Sequence, residues 1–410
     1  MNFKNWLITE EYESLAAEVP MPDEVHMLNG LFSKFGAKLY AVGGSIRDYL
    51  YHLFHQKDVP YNPKDIDLTT DQPPEQVEKI LSSPEAAAAG IKVFAKGASF
   101  GVISAIVNGK EFEIATFRKE YYDSLSGDGR RPDEVTYSNA KEDAKRRDLN
   151  INALFYDLNN KEIKDYNIDS QGKGQGFIDI KNKKVRVVGD PFERFREDKL
   201  RVLRLIRFFS RFNNDIISKH LDPRTISAID NYKDLKGVSK ERISAEFLSG
   251  LKTSLNIESY ILSFKSLGLL ETIFPGLKVR VDSNVNKTRD STAIITYILR
   301  ENDPKETRQK LNQLKYSNQI SDTVFFIHTV FYELNNKNII KLLRMKEDLH
   351  KEKRISLLEY GKIIGSVNKA WKFLDYEIQT KSQDYSHLNG PDISKKMNQD
   401  EFEIYNGSRD

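Results

Sequence analysis

Short apolar runs alternate with helical stretches through the first third of the chain, and from about Asp190 onward nearly every segment carries a helical period. That division predicts an α+β fold, a mixed sheet with helices followed by an all-helical remainder. Residues 38–42 read as a strand that breaks at Gly43-Gly44-Ser45 and enters a helix over 46–54. A second strand over 66–69 follows a Pro/Asn/Lys turn. Residues 101–107 and 111–117 flank Asn108-Gly109. Asn-Gly between two β-rich runs predicts a hairpin, because a type I′ turn needs positive φ twice. The polar residues 122–139 read as a long loop, and such loops in compact domains are often functional. A helix is predicted over 141–151, then a second hairpin from residues 154–158 and 162–165. Asp190-Pro191 has the form of an N-cap with proline in the first turn, opening one long helix to about Phe212. Beyond Asn335 the pattern weakens toward a polar, poorly ordered end.

Composition narrows the classes without choosing among them. The 410 residues suffice for two to four domains, with 39% hydrophobic and 30% charged positions. The apolar runs are too short to span a bilayer. The first 20 residues, with four Glu and one Lys, have neither signal nor transit character. There is no cysteine, which excludes disulfides, thiolate metal sites and cysteine nucleophiles. It also suits a reducing compartment, so the cytoplasm is the expected location. Net charge is only +3, yet basic residues thicken between Lys141 and Arg211. That run can form a surface for phosphate backbones, although solvated helix faces are its plainer reading.

Candidate chemistry centres on Asp65-Ile66-Asp67. In a strand, residues i and i+2 share a face, so the two carboxylates stand side by side and repel unless a cation neutralises them. Mg²⁺ accepts oxygen ligands and keeps waters and phosphates as its remaining partners. Two such ions could activate a 3′-hydroxyl and steady a leaving pyrophosphate. Glu113, alternating away from Phe112 and Ile114, is the candidate third carboxylate. Alone, a D-x-D is more often exposed strand-edge charge. Gly43-Gly44-Ser45 at a strand-to-helix junction supplies context, since glycines let backbone N–H groups approach a triphosphate at a helix N-terminus. Arg47 is close enough in sequence to add a charge-assisted contact.

These residues carry a resemblance. LYAVGGSIRDYL followed by DIDLTT resembles the head signature of class II tRNA nucleotidyltransferases and bacterial poly(A) polymerases, members of the polymerase β superfamily. KRRDLNINALFYD is similar to their second motif, and the segment 164–189 to the third, with Asp165, Gly176 and Asp179 at matching places. REDKLRVLRLIRFFSRF resembles the fourth and VSKERISAEFLSGL the fifth. The resemblance runs from about Leu39 to Phe274.

It implies template-independent addition of CCA to the tRNA 3′ end from CTP and ATP, with polyadenylation or A addition as the alternative. For Asp198 and Arg201, read as i, i+3 neighbours on one helix, it implies nucleotide selection. A carboxylate accepts from an exocyclic amine and a guanidinium donates to a ring nitrogen, the pattern shared by cytosine and adenine. Glu197 would orient Arg201, and Arg204 lies one turn on. Arg146 and Arg147 are expected at phosphates, Asp148 and Asn152 at a ribose hydroxyl. Asp128-Gly129-Arg130-Arg131-Pro132 resembles the loop that CCA- and A-adding members need for switching nucleotide. The expected organisation is a head over 1–165, a neck over 166–236, a helical body over 237–335 and a divergent tRNA-binding tail over 336–410. Two departures stand out: residues 51–64 form a longer connection than is usual before Asp65, and extra residues lie around 171–174. His52 and His55 could pair on a metal, although a solvated helix face is the commoner arrangement.

Overall fold

The computed structural model describes residues 14–56, 61, 65–94, 101–121, 134–346 and 349–407. The chain divides into two compact units, residues 1–205 with 222–238, and residues 206–221 with 239–410.

In the first unit, eight strands among the described residues form one sheet in the order β1-β10-β9-β2-β3-β6-β5-β4. These are β1 (Ser14–Ala16), β2 (Leu39–Val42), β3 (Asp67–Thr70), β4 (Lys92–Phe94), β5 (Val102–Val107), β6 (Lys110–Thr116), β9 (Leu154–Asp157) and β10 (Glu162–Asp165). All neighbours run antiparallel except β3 and β6, which are parallel. Helices α1 (Asp23–Lys34), α2 (Gly44–His55), α3 (Pro74–Leu81), α4 (Pro84–Ala88), α5 (Ala140–Lys145) and α6 (Gln175–Lys181) accompany the sheet, so the class is the α+β expected. The central strands β2 and β9 are buried at every position. Their apolar runs are continuous because both faces are covered. Phe117 packs against Tyr40 and Phe155 at ring distances of 5.3 and 5.9 Å. The small side chains of Ala140 and Ala144 on α5 join the same core cluster. The Asn108-Gly109 turn has positive φ at both residues, as its hairpin requires.

Four sequence expectations need correction. The loop over 122–139 is interrupted, because β8 (Glu134–Tyr137) pairs antiparallel with β7 (Arg118–Tyr121). The helix expected over 141–151 ends at Lys145 and is replaced by a 3₁₀ turn at Asn150–Asn152. Tertiary bonds compete there: the Asn150 N–H donates to the Arg186 carbonyl and its side-chain amide to Asp179. The long helix from Asp190 is two helices, α7 (Pro191–Glu197) and α8 (Leu200–Phe212). Asp198 between them is extended, and its carboxylate accepts the Leu200 N–H at 3.0 Å. It therefore caps α8 rather than riding on it. The polar end, expected to be poorly ordered, forms an 18-residue helix over Gly390–Gly407, in keeping with the all-helical remainder.

The second unit is all helical among its described residues. Lys240–Thr253 and Ile257–Ser266 pack through Phe247, Tyr260 and Phe264, with Phe274 against them. Gly250 makes this possible, since a Cβ there would fall 2.0 Å from the Tyr260 ring. The C-terminal helix is anchored by Glu401. Its fully buried carboxylate accepts from the Tyr376 hydroxyl and from the Gln379 and Thr380 N–H groups.

Candidate functional site

Strand register assembles the first part of the site. Val42 pairs with Asp67 across β2 and β3, so the Gly43-Gly44-Ser45 turn that follows Val42 opens beside that carboxylate. Leu68 pairs with Ile114 across β3 and β6, and both are buried. The preceding residues, Asp67 and Glu113, therefore fall on the opposite, open face. Asp65 lies just ahead of β3 rather than within it. All three carboxylates line one cleft of about 740 Å³ together with Tyr61, Lys110 and Pro20-Met21-Pro22.

Gly43 has φ of +73°, which a side chain would strain. A Cβ there would lie 3.5 Å from the Arg147 guanidinium and 3.8 Å from the Asp67 carboxylate. The turn thus brings backbone, cation and carboxylate into near contact. Ser45 is 4% exposed, and its hydroxyl finds no partner among the described residues, an orphaned donor at the helix N-terminus where a phosphate oxygen would satisfy it. Burial raises the pKa of Asp67, and the Asp65 charge adds to it, while Arg147 and Arg47 oppose the rise. Nucleotidyl transfer generally calls for a divalent cation. The donors fit one: they are oxygens only, like-charged and open to water. Among the described residues no three His, Asp or Glu side chains form a ready-made cage, so water and phosphate would complete the shell.

The second part is a chain of buried hydrogen bonds. Arg47, 4% exposed, donates to the Asn152 side-chain oxygen at 2.7 Å. Asn152 donates to Asp148 at 3.1 Å, and Arg204 on α8 closes on the other Asp148 oxygen at 2.6 Å. Burial pushes the Asp148 pKa up, but Arg204 and Asn152 outweigh it and hold the carboxyl below its usual range. Arg201 pairs with Glu197 and donates to the Arg194 carbonyl at 3.2 Å and the Arg146 carbonyl at 2.9 Å. Its guanidinium is gripped from behind at one end of the arginine-rich segment.

The third motif is a brace. The buried Asp165 carboxylate accepts the Gly176 N–H at 2.7 Å, the Phe177 N–H at 3.2 Å and the Asn167 N–H at 3.0 Å. Gly176 must be glycine, because a Cβ would meet the Asn150 carbonyl at 2.7 Å. Asp179 binds Arg186 and Asn150, which holds the 3₁₀ turn carrying Asn152.

Sequence reasoning therefore named residues that the fold brings together: Asp65, Asp67, Glu113, Gly43, Gly44, Ser45, Arg47, Arg147, Asp148 and Asn152 on one side, Glu197, Arg201 and Arg204 on the other. Asp198 is the exception in geometry, since it precedes α8 and does not share a helix face with Arg201. His52 and His55 part company: His52 lies against Tyr61, and His55 bonds the Ile180 carbonyl. The segment Asp128–Pro132 lies outside the described residues. Two contributors were missed. Asp143, 1% exposed, pairs with both Arg146 and Arg147. Arg194 pairs with Glu197 at 2.6 Å and donates to the Lys145 carbonyl at 2.8 Å. Both stand three or four residues from their partners, a spacing that could have revealed them.

A carboxylate pair at the start of a strand, beside a glycine turn on this mixed sheet, defines a nucleotidyltransferase head. Residues 39–186 match the model of the poly A polymerase head domain. The chain is 30% identical to the CCA-adding enzyme of Lactobacillus johnsonii over 80% of this chain and 76% of that one. It is 29% identical to the CCA-adding enzyme of Staphylococcus saprophyticus over 90% of each. With the CCA-adding enzyme of Lactobacillus helveticus identity rises to 38%, but the match spans 52% of this chain and 46% of that one. The chain belongs to the CCA-adding enzyme family of class II nucleotidyltransferases. Its fold resembles that of the Bacillus stearothermophilus CCA-adding enzyme solved in complex with CTP. The TM-score is 0.63 at 20% identity, covering 94% of this chain and 93% of that one. Among the described residues no helix is long and apolar enough to cross a membrane.

Proposed function

We propose that this chain adds or repairs the 3′-terminal CCA of tRNA, taking CTP and ATP without a nucleic-acid template. The observation that carries the reading is the hydrogen-bond chain Arg47–Asn152–Asp148–Arg204, which ties the phosphate-binding turn to the helix bearing Arg201. Family membership and the printed names of the relatives point the same way.

In this reading the Gly44 and Ser45 N–H groups and the Ser45 hydroxyl cradle the triphosphate at the start of α2. Asp65 and Asp67 would hold Mg²⁺, which supplies there the charge that activates a 3′-hydroxyl and neutralises a departing pyrophosphate. Glu113 completes the acidic face. Arg201, held by Glu197 and two carbonyls, presents its remaining N–H groups to a ring nitrogen, and Asp198 accepts from the exocyclic amine. Cytosine and adenine meet that pattern, while uracil and guanine oppose it. Residues 1–165 would act as head, 166–236 as neck, 237–335 as body and 336–410 as tail, the last two gripping the tRNA. A chain without cysteine suits the cytoplasm, the location we assign.

One assay decides. Purified protein with Mg²⁺, CTP and ATP is given tRNAs lacking one, two or all three nucleotides of the CCA end. Completion of CCA and no further addition is expected. Indefinite A addition to any RNA end would replace this reading with polyadenylation, and no incorporation would leave an RNA-binding protein.

A further inference from the structure

Tyr61 comes from the long connection ahead of Asp65, and the nucleotidyltransfer reading leaves it without a role. Its side chain nevertheless meets the start of α2 and lines the cleft. The hydroxyl donates to the Ser45 carbonyl at 2.7 Å, and the residue lines the same cavity as Asp65, Asp67 and Glu113. The ring packs edge-on against Tyr49 with centroids 5.4 Å apart, and against His52 at 5.8 Å. Ser45, Tyr49 and His52 stand at i, i+4 and i+7, a single stripe along α2. Tyr61 therefore lies along the first two turns of that helix and grips its N-terminal turn from outside. Burial, with the Asp48 charge adding, keeps the phenol protonated, so it stays a donor. The turn is otherwise held through the Gly43 N–H on the Leu154 carbonyl at 3.2 Å and through Arg47 on Asn152, neither of which touches Ser45. Gly43 provides no side-chain cap, and the Ser45 hydroxyl has no partner among the described residues.

We infer that Tyr61 is a positioning residue that sets the phosphate-cradling turn at Gly44-Ser45 against the carboxylates, so that it governs nucleotide affinity without governing nucleotide choice. This rests on the proposed nucleotidyltransfer. Asp65 follows Tyr61 by four residues in the sequence, and both line the same cleft. A residue acting on the triphosphate site raises KM for CTP and ATP together, because both share that moiety. A residue acting on the base changes one more than the other.

Tyr61→Phe deletes the hydroxyl and keeps the ring packing. Losing one such hydrogen bond is expected to raise KM for CTP and for ATP by about three- to tenfold each, equally. The thermal midpoint, the KM for tRNA and the CTP/UTP preference should stay within error. Equilibrium dialysis of CTP without RNA should show the same loss of affinity, a readout independent of turnover. Tyr61→Leu, which also removes the ring, should lose more affinity and some stability. Unchanged nucleotide affinity in Tyr61→Phe, or a loss confined to one nucleotide, would overturn the inference. So would a loss fully accounted for by a lower thermal midpoint. If wild-type protein incorporates nothing, the underlying reading has failed; if wild type is active and Tyr61→Phe matches it, only the role of Tyr61 has.

Discussion

In the cleft, Asp65, Asp67 and Glu113 stand open to water with like charges side by side. In the arginine network behind it, Asp143 and Asp148 are buried and each is matched to guanidinium groups. The same residue type serves opposite ends. A carboxylate wrapped in arginine is a strut, since its oxygens are satisfied and its charge is cancelled within the fold. A carboxylate left facing its own kind has stored repulsion that an incoming cation can relieve. In the proposed function the acidic side would bind and the basic side hold shape, although by charge count the basic side is the more obvious nucleic-acid surface. Arg47 and Arg147 face both ways: each belongs to the buried network, and each also lowers the pKa of Asp67 from behind.

Asp65→Ala should separate the two regions most sharply. Incorporation should fall by about a thousandfold or more, since a metal site supplies several kcal/mol of transition-state stabilisation. Thermal midpoint and tRNA binding should hold, because among the described residues no hydrogen bond or ion pair ties Asp65 to the fold. A large fall in thermal midpoint with modest loss of activity would reverse the comparison.

Asp143→Asn should do the opposite. Breaking a buried pair with two arginines should cost about 3 kcal/mol of stability, read as a lower urea midpoint. Activity at low temperature should fall far less than in Asp65→Ala.

Arg201→Gln probes the boundary between strut and reader. Preference for CTP over UTP should relax by about tenfold, with overall turnover reduced less. Unchanged selectivity would make Arg201 a strut like Arg204.

The expected effect furthest from the chemistry concerns Asp165, a buried carboxylate that meets backbone N–H groups where Asp148 meets arginine. Burial pushes its pKa up to about 7 against those donors. Because the folded value lies above the ordinary 3.8, the folded chain holds an extra proton between about pH 4 and 7. That contribution to stability is complete below the lower value and is lost as pH rises through the upper one. Urea midpoints measured across this window should fall with pH in the wild type, and Asp165→Asn should flatten that slope.

Much of the site was legible because it lies in short local patterns. A Gly-Gly turn before a helix and an Asn-Gly hairpin each dictate their backbone within a few residues, whereas the D-x-D straddles the start of β3. The helix boundaries were less legible. Asp190-Pro191 announced a helix start correctly, but the stop at Glu197 depends on Asp198 turning its carboxylate to the Leu200 N–H, and periodicity continues through it unbroken. The end of the helix at Lys145 depends on Arg186 and Asp179, which meet Asn150 from a segment far along the chain.

By itself, then, the sequence determined the α+β class and the family and singled out the acidic pair as a candidate, because these rest on residue type and near-neighbour spacing. Only the tertiary structure decided that Val42 meets Asp67, that Glu113 shares its face, and that Asp148 belongs to Arg204. Those facts are matters of register and of which buried charge finds which partner. Both are settled when strands and helices distant in the chain come together, a step that no local pattern encodes.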